Sequence, residues 1–319
     1  MNIIPIKIYN NTNRFVVDWT LNTLCTYHCS YCHPSLHMGN NFFKDKVSDK
    51  EIVLTFLNKL KQQLNGRPTH FFINGGEPTI SPVFETIIDF ISDAGWHAHV
   101  NTNATRSMDW WKEYAKKIYK VTVSYHAESA DEEIFEKVKY IGTQTNVGVF
   151  TLMFPPVWAK AQTAYERFKA MDHVTLAPSR VFKRDELTGQ DSYEYSAEQL
   201  KWLDDNSEVL FRNSASTNNR NDQSNPYGRS MVVYNDGSES QFNEVEFVNN
   251  RKNQFAGWQC EMGKSHIFIN KDWLICHATC NTAESFATVE TFETLPTELM
   301  TCKSEYCMCT ADVMIPKYR

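Results

Sequence analysis

The nine cysteines of this 319-residue chain fall into two groups, Cys25, Cys29 and Cys32 near the front and Cys260, Cys276, Cys280, Cys302, Cys307 and Cys309 at the back, with 227 cysteine-free residues between. Clustered thiols in a long chain point to metal binding or redox chemistry, whereas disulfide frameworks belong to short secreted chains. Burial as small hydrophobes accounts for isolated cysteines but not for two dense groups. Lys and Arg number 32 against 38 Asp and Glu, a formal charge of -6. That balance removes the broad positive field of a non-specific nucleic-acid binder, so nucleic acid is not favoured as a partner. The opening Met1-Asn2-Ile3-Ile4-Pro5 lacks the charged-then-apolar start of a secretory signal. No apolar run approaches the ~20 residues of a membrane span, and a cytoplasmic protein without membrane contact is expected.

Short β-rich runs alternate with helical stretches, the pattern of βα units around a parallel sheet. Strands are predicted at Phe15-Thr20, His70-Asn74, His97-Asn101, Val121-Tyr125, Val147-Met153 and Val174-Ala177. Helices are predicted at Ser48-Leu64, Pro82-Ala94, Ser107-Lys117, Ala130-Tyr140, Pro156-Ala170 and Ser196-Leu210. In the first of these Ser48 stands as the cap, and Ile52, Phe56, Leu57, Leu60 and Leu64 form one apolar stripe. An eight-unit barrel takes ~250 residues, so six units between about residues 15 and 210 predict an α/β fold, a partial (β/α)6 TIM-type barrel. The stretch RNSASTNNRNDQSNPYGR from Arg212 to Arg229 is almost free of apolar residues and reads as a solvated connector. The expected organisation is therefore a barrel over 1-211, a polar linker over 212-230 and a small C-terminal α+β cysteine-rich domain over 231-319. Within that domain, Met231-Tyr234, Asn235-Asp236-Gly237 and the following run to Phe247 suggest a hairpin.

Cys25-Thr-Tyr-His-Cys29-Ser-Tyr-Cys32 follows the first strand directly, on the face where α/β barrels keep their chemistry. Thiolates on so short a loop suit a soft metal centre, an iron-sulfur cluster or zinc. A closed zinc site needs four ligands, and His28, His33 or His37 supplies a fourth on that reading. A cubane cluster with three protein ligands instead keeps one iron open.

The motif resembles that of the radical S-adenosylmethionine superfamily, three cysteines at this spacing with an aromatic residue, here Tyr31, before the last. Gly75-Gly76-Glu77-Pro78 after the second strand is similar to the family's second signature. The resemblance implies a 4Fe-4S cluster held by Cys25, Cys29 and Cys32, with S-adenosylmethionine on the open iron and its amino group at the Gly-Gly-Glu-Pro strand end. On this reading the glycines permit close backbone approach to a ligand and Glu77 accepts from an ammonium. Thr102 and Asn103 resemble the family's Thr-Asn-Gly turn, with Ala104 where glycine is usual. Ser124 is similar to the residue that meets the ribose, with His126 as a substrate neighbour. The resemblance further suggests Arg180 for a carboxylate and Val149 against the adenine. It implies reductive cleavage of the cofactor to a 5'-deoxyadenosyl radical that takes a hydrogen atom from substrate, with a flavodoxin- or ferredoxin-type low-potential electron donor.

The rear cysteines resemble the superfamily's SPASM or twitch extension, implying at least one auxiliary iron-sulfur cluster among Cys260, Cys276, Cys280, Cys302, Cys307 and Cys309. His266 to Cys276 reads as two short strands and a polar turn in which Trp273 replaces an expected glycine. Spacing alone leaves a structural zinc site open here. Six thiols fit one four-cysteine cluster with two over, or two incompletely ligated clusters. With 24 residues ahead of Cys25, a fused peptide-recognition domain before the barrel is not expected. The expected substrate is a peptide or small molecule. Alternatives are modification of a nucleoside or nucleic acid and, in another class, a non-catalytic iron-sulfur or zinc protein. No catalytic acid, base or radical-quenching residue stands out.

Overall fold

A computed structural model describes residues 3–32, 49–185, 189–206, 229–242, 244–280, 284–307 and 309–319. His33, His37, Ser48 and all but the last two residues of the polar stretch 212-230 lie outside them. The front half runs β1 (Pro5–Asn10), β2 (Phe15–Asn22), α1 (Lys50–Leu64), β3 (Thr69–Gly75), α2 (Phe84–Asp93), β4 (His97–Thr102), α3 (Met108–Tyr114), β5 (Lys120–His126), α4 (Glu133–Gln144), β6 (Asn146–Leu152), α5 (Trp158–Lys169) and β7 (Val174–Ser179). A small hairpin, β8 (Phe182–Asp185) and β9 (Gly189–Ser192), leads to helix α6 over 197–206. The six predicted strands are β2 to β7, each paired in parallel with the next.

Residues along these strands alternate between two environments, as the pleat requires. Val17 and Trp19 of β2, Ile73 of β3, Val100 of β4 and Val123 of β5 point to the helices and join one large core with Phe56, Ile88, Trp111 and Phe168. The predicted α1 stripe forms, with Ile52 at its edge and Val53 inside. Asp49 supplies the described cap, its carboxylate accepting from Glu51 N at 2.8 Å and Ile52 N at 3.3 Å. The parallel sheet with its helical layer fits a partial barrel.

The rear half runs β10 (Ser230–Tyr234), β11 (Glu239–Gln241), α7 (Glu244–Asn249), β12 (Gln259–Cys260), β13 (His266–Ile269), β14 (Leu274–Cys276), β15 (Ser285–Thr288), β16 (Met300–Thr301), α8 (Thr310–Val313) and β17 (Lys317–Tyr318). The Asn235-Asp236-Gly237 hairpin forms, but the run toward Phe247 ends in α7 and not in a long second strand. Phe247 reaches a small second core with Phe255 and Trp258, a contact that one helical turn provides.

Three strand pairings join the halves. Strand β13 lies parallel to β2, His266 opposite Val16 and Ile269 opposite Trp19, so β13, β14 and β15 extend the barrel sheet to nine strands. Strand β1, which the strand prediction omits, pairs with β10 and β17 in a six-stranded antiparallel sheet. Its Ile4-x-Ile6-x-Ile8 alternation is the overlooked signal, and Ile8 is buried in the second core. Among the described residues no helix is long and apolar enough to cross a membrane.

Trp273 shows how closely the β13–β14 hairpin is fitted. It takes φ +61°, the left-handed conformation a glycine would hold without cost. Its ring packs edge-on against Trp19 at 5.8 Å and its Nε1 donates to Leu21 O at 3.3 Å. Replacing a buried aromatic costs about 3–5 kcal/mol, while relieving a left-handed residue returns about 1–2 kcal/mol. Trp273→Gly is therefore expected to lower stability by about 1–4 kcal/mol in urea denaturation; a more stable variant would show that backbone strain outweighs packing here.

Candidate metal and cofactor site

The end of β3 and the loop after β2 are pressed together. Gly76 N donates to Asn22 O at 3.0 Å, Glu77 N to Leu24 O at 2.6 Å, and Asn22 Nδ2 to Glu77 O at 3.2 Å. A Cβ on Gly75 would lie 2.5 Å from Asn22 O, and one on Gly76 only 2.2 Å from Leu24 O. The glycines thus serve first to seat the segment that leads into Cys25. Pro78 follows at the start of a short 3-10 turn over Pro78–Ile80.

Glu77 is enclosed between the two strand ends. Its side chain has no solvent exposure. Oε1 accepts from Thr79 N at 3.1 Å, Thr79 Oγ1 at 2.5 Å and Thr102 Oγ1 at 2.7 Å, while Oε2 accepts from Asn103 N at 2.6 Å. Burial pushes its pKa up, against the pull of these donors. The carboxylate is a tie between the ends of β3 and β4, with both oxygens already engaged. Ala104 completes the turn at φ +58°, as the glycine of the family pattern would.

From that turn Asn103 reaches the thiol loop, its Nδ2 donating to Thr26 Oγ1 at 2.9 Å and to Cys25 Sγ at 3.5 Å. The far side of the loop is tied to the segment after β5. Ser30 N and Oγ donate to Glu128 at 2.8 and 2.7 Å, and the Cys29 thiol lies 3.8 Å from Ser129 Oγ. Tyr31 shares a 2.8 Å hydrogen bond with His126 Nδ1 and packs on Phe154 at 4.6 Å. Burial lowers the His126 pKa to about 4, so this ring is neutral at pH 7. Burial raises Cys25, with smaller contributions from Glu77 and from the Cys29 and Cys32 thiols.

Three thiols on one loop, with Cys25 in electrostatic reach of the other two, are a soft donor set that fits an iron-sulfur cluster. Among the described residues no three His, Cys, Asp or Glu side chains are disposed to hold a single metal ion. His28 is exposed on the loop.

Other predicted residues fall outside this network. Val149 is buried in the helix-facing core, and its neighbour Phe150, 40% exposed, occupies the opposite face; a one-residue shift in register explains the difference. Arg180 forms an exposed 3.4 Å ion pair with Asp204 of α6. Ser124 stands on β5 opposite Phe150, on the inner face of the sheet.

That inner face carries what the sequence reading missed. Barrel interiors are ordinarily filled by branched apolar side chains. Here Asn101 of β4 donates to Asn74 of β3, and Asn74 donates to Asp18 of β2 at 2.9 Å. Asn101 is exposed although β4 is an inner strand of the sheet. Burial pushes the Asp18 carboxyl up to about 6, Asn74 pulls it back, and Asp312 adds to the rise. A polar residue on every inner position of Val16-Val17-Asp18-Trp19-Thr20 after the first was the available signal.

Of the rear thiols, Cys260, Cys302 and Cys307 lie within electrostatic reach of one another, and Cys280 lies within reach of Cys302. Burial pushes Cys307 up to about 12, and the Lys317 ammonium opposes that rise. Lys317 is itself buried, its Nζ donating to the carbonyls of Asp312, Val313 and Ile315. Cys276 stands apart on β14, opposite Phe268 and Ser285, and burial alone raises it. Cys309 precedes α8, where its carbonyl accepts from Val313.

Residues 19–150 match the family model described as the Radical SAM superfamily. In shape the chain is similar to SuiB of Streptococcus suis, with TM-score 0.48, 12% identity and coverage of 88% of this chain and 64% of that one. SuiB bound to its precursor peptide SuiA gives 0.47 and 12%, over 86% and 63% of the two chains. Archaeal TYW1 gives 0.32 and 16%, over 62% and 75%. The chain thus spans less than two thirds of the SuiB length. No curated protein matches it.

Gly76→Ala is expected to cost about 3 kcal/mol in thermal or urea denaturation, the upper end for overpacking, because the added methyl meets backbone. Asp18 gives a pH signature. Its folded pKa of about 6 exceeds the ordinary 3.8, so its contribution is fully present below about pH 4 and is lost as pH rises through about 6. Asp18→Asn should be more stable than the parent at pH 7 by up to about 3 kcal/mol, with a flatter profile between about pH 4 and pH 6. Equal profiles for the two proteins would show that Asp18 titrates normally.

Proposed function

We propose that the chain is a radical S-adenosylmethionine enzyme acting on a peptide or small molecule. The observation that carries this reading is the three-way lock in which Glu77 ties the Gly-Gly-Glu-Pro strand end to Thr102 and Asn103, and Asn103 in turn meets Cys25. An electron carrier needs a thiol loop but no such neighbouring turns. The family match over residues 19–150 supports the same reading.

Cys25, Cys29 and Cys32 are the residues that would hold a 4Fe-4S cluster. With S-adenosylmethionine bound there, the pair would supply one-electron reductive cleavage and a species able to abstract hydrogen. The chain's own residues orient and shield. Tyr31, His126 and Phe154 wall one side of the loop with rings, a dry boundary that suits radical chemistry. Gly75 and Gly76 seat the loop against β3. Ser124 and the Asp18–Asn74–Asn101 row face the sheet interior, where substrate groups would find hydrogen-bond partners. Cys260, Cys280, Cys302 and Cys307 are the proposed ligands of an auxiliary iron-sulfur cluster that exchanges electrons with substrate, and a flavodoxin- or ferredoxin-type protein is the proposed low-potential donor.

The test is anaerobic reconstitution with iron and sulfide, followed by assay for 5'-deoxyadenosine under strong reductant. The intact chain should bind iron in both cysteine groups and cleave S-adenosylmethionine. Cys29→Ala should abolish cleavage while iron at the rear group is retained. A brown protein that cleaves nothing with any reductant would support a carrier, and zinc in place of iron would remove both readings.

A further inference from the structure

At the end of the barrel opposite the thiol loop, a cavity of about 190 Å³ lies between the starts of β2 and β3 and the second sheet. Its wall includes Lys7, Arg14, Arg67 and His266, with Glu261 the one acidic residue among its described lining. Three cations against one carboxylate is a local excess in a chain whose formal charge is -6. The cations are held in place. Arg67 donates to the carbonyls of Asn13, Arg14 and Lys264 at 2.8–3.2 Å. The Lys7 ammonium sits 4.8 Å from the Tyr9 ring and 5.6 Å from that of Tyr318. Arg14 is only 5% exposed, with Nη2 3.5 Å from Met314 Sδ. Glu261 is engaged by the Tyr318 hydroxyl at 2.7 Å.

His266 supplies the second, independent observation. Its side chain is 2% exposed, it lines the cavity, and its Nε2 has no hydrogen-bond partner. A buried polar nitrogen left unmade costs free energy that a ligand would recover. Burial lowers the His266 pKa to about 4, so the ring is neutral at pH 7 and Nε2 can carry the proton that an anion would accept.

We propose that this cavity binds a small oxyanion, a phosphate or a carboxylate, through Lys7, Arg14 and Arg67 and a hydrogen bond from His266 Nε2. Guanidinium and ammonium groups recognise both anions by the same charge-assisted hydrogen bonds. Drug-sized ligands occupy roughly 300–1,000 Å³, so the volume restricts the ligand to a single small group and excludes a nucleotide. A bound anion would touch Lys7 of the second sheet together with His266 of the barrel sheet and Arg14 at the entry to β2, joining the two. The inference stands independently of the radical chemistry.

Isothermal titration with inorganic phosphate and, separately, with succinate at low ionic strength is the test. One-to-one binding of either anion is expected, weakened at least tenfold by Lys7→Gln and by Arg14→Gln. Binding of phosphate alone assigns the site to phosphate, and binding of succinate alone assigns it to a carboxylate. If Arg14→Gln fails to fold, Lys7→Gln and the ring ¹⁵N signals of His266 in the parent protein decide, since those signals must shift on titration. Absence of binding by both anions at millimolar concentration, unchanged affinity in Lys7→Gln, or an unmoved His266 ring would each overturn the proposal.

Discussion

Taking a carboxylate out of water costs several kcal/mol unless hydrogen bonds replace the lost hydration. Glu77 meets that cost with donors from Thr79, Thr102 and the Asn103 backbone. Because those donors stand at the ends of two neighbouring strands, the bonds that make burial tolerable also fix the Gly-Gly-Glu-Pro turn against the Thr-Asn-Ala turn. The thiol loop is then seated on this base by Gly75 and Gly76, whose missing side chains let Leu24 and Asn22 approach. The geometry of the whole candidate site descends from one enclosed carboxyl group.

Much of the barrel was legible because alternation and helical periodicity are local. Strands β2 to β7 were each anticipated to within a residue or two, since their Val, Ile and Phe positions repeat every second residue. The thiol loop and the turns beside it were legible from spacing. What spacing could not provide was the direction of a side chain. That Glu77 also serves as a buried tie depends on the position of Thr102, twenty-five residues on. Val149 and Phe150 are neighbours whose faces are set by the pairing with β5 and β7.

Contacts distant in sequence were the least legible. Nothing in residues 5–10 announces that their partners lie at 230–234 and 317–318. Nor does the His266–Cys276 hairpin announce that it will extend the barrel sheet beside β2. The linear division into barrel, linker and rear unit follows composition, whereas the two sheets interleave segments from both ends. The Asp18–Asn74–Asn101 row belongs to the same class of feature, since the polar positions of β2 announce an unusual inner face but the row itself exists only once three strands are in register.

The pairing of β1 with β17 bears on how the polypeptide is made. Residues 7 and 8 meet 317 and 318, so a ribosome must synthesise some three hundred residues before that edge can zip. Closing so large a loop is slow relative to local helix formation. Until then the small core around Trp258, which shelters Cys302 and Cys307, cannot be sealed. The interval between translation and closure is thus a window in which thiols that later become enclosed still stand open to the cell.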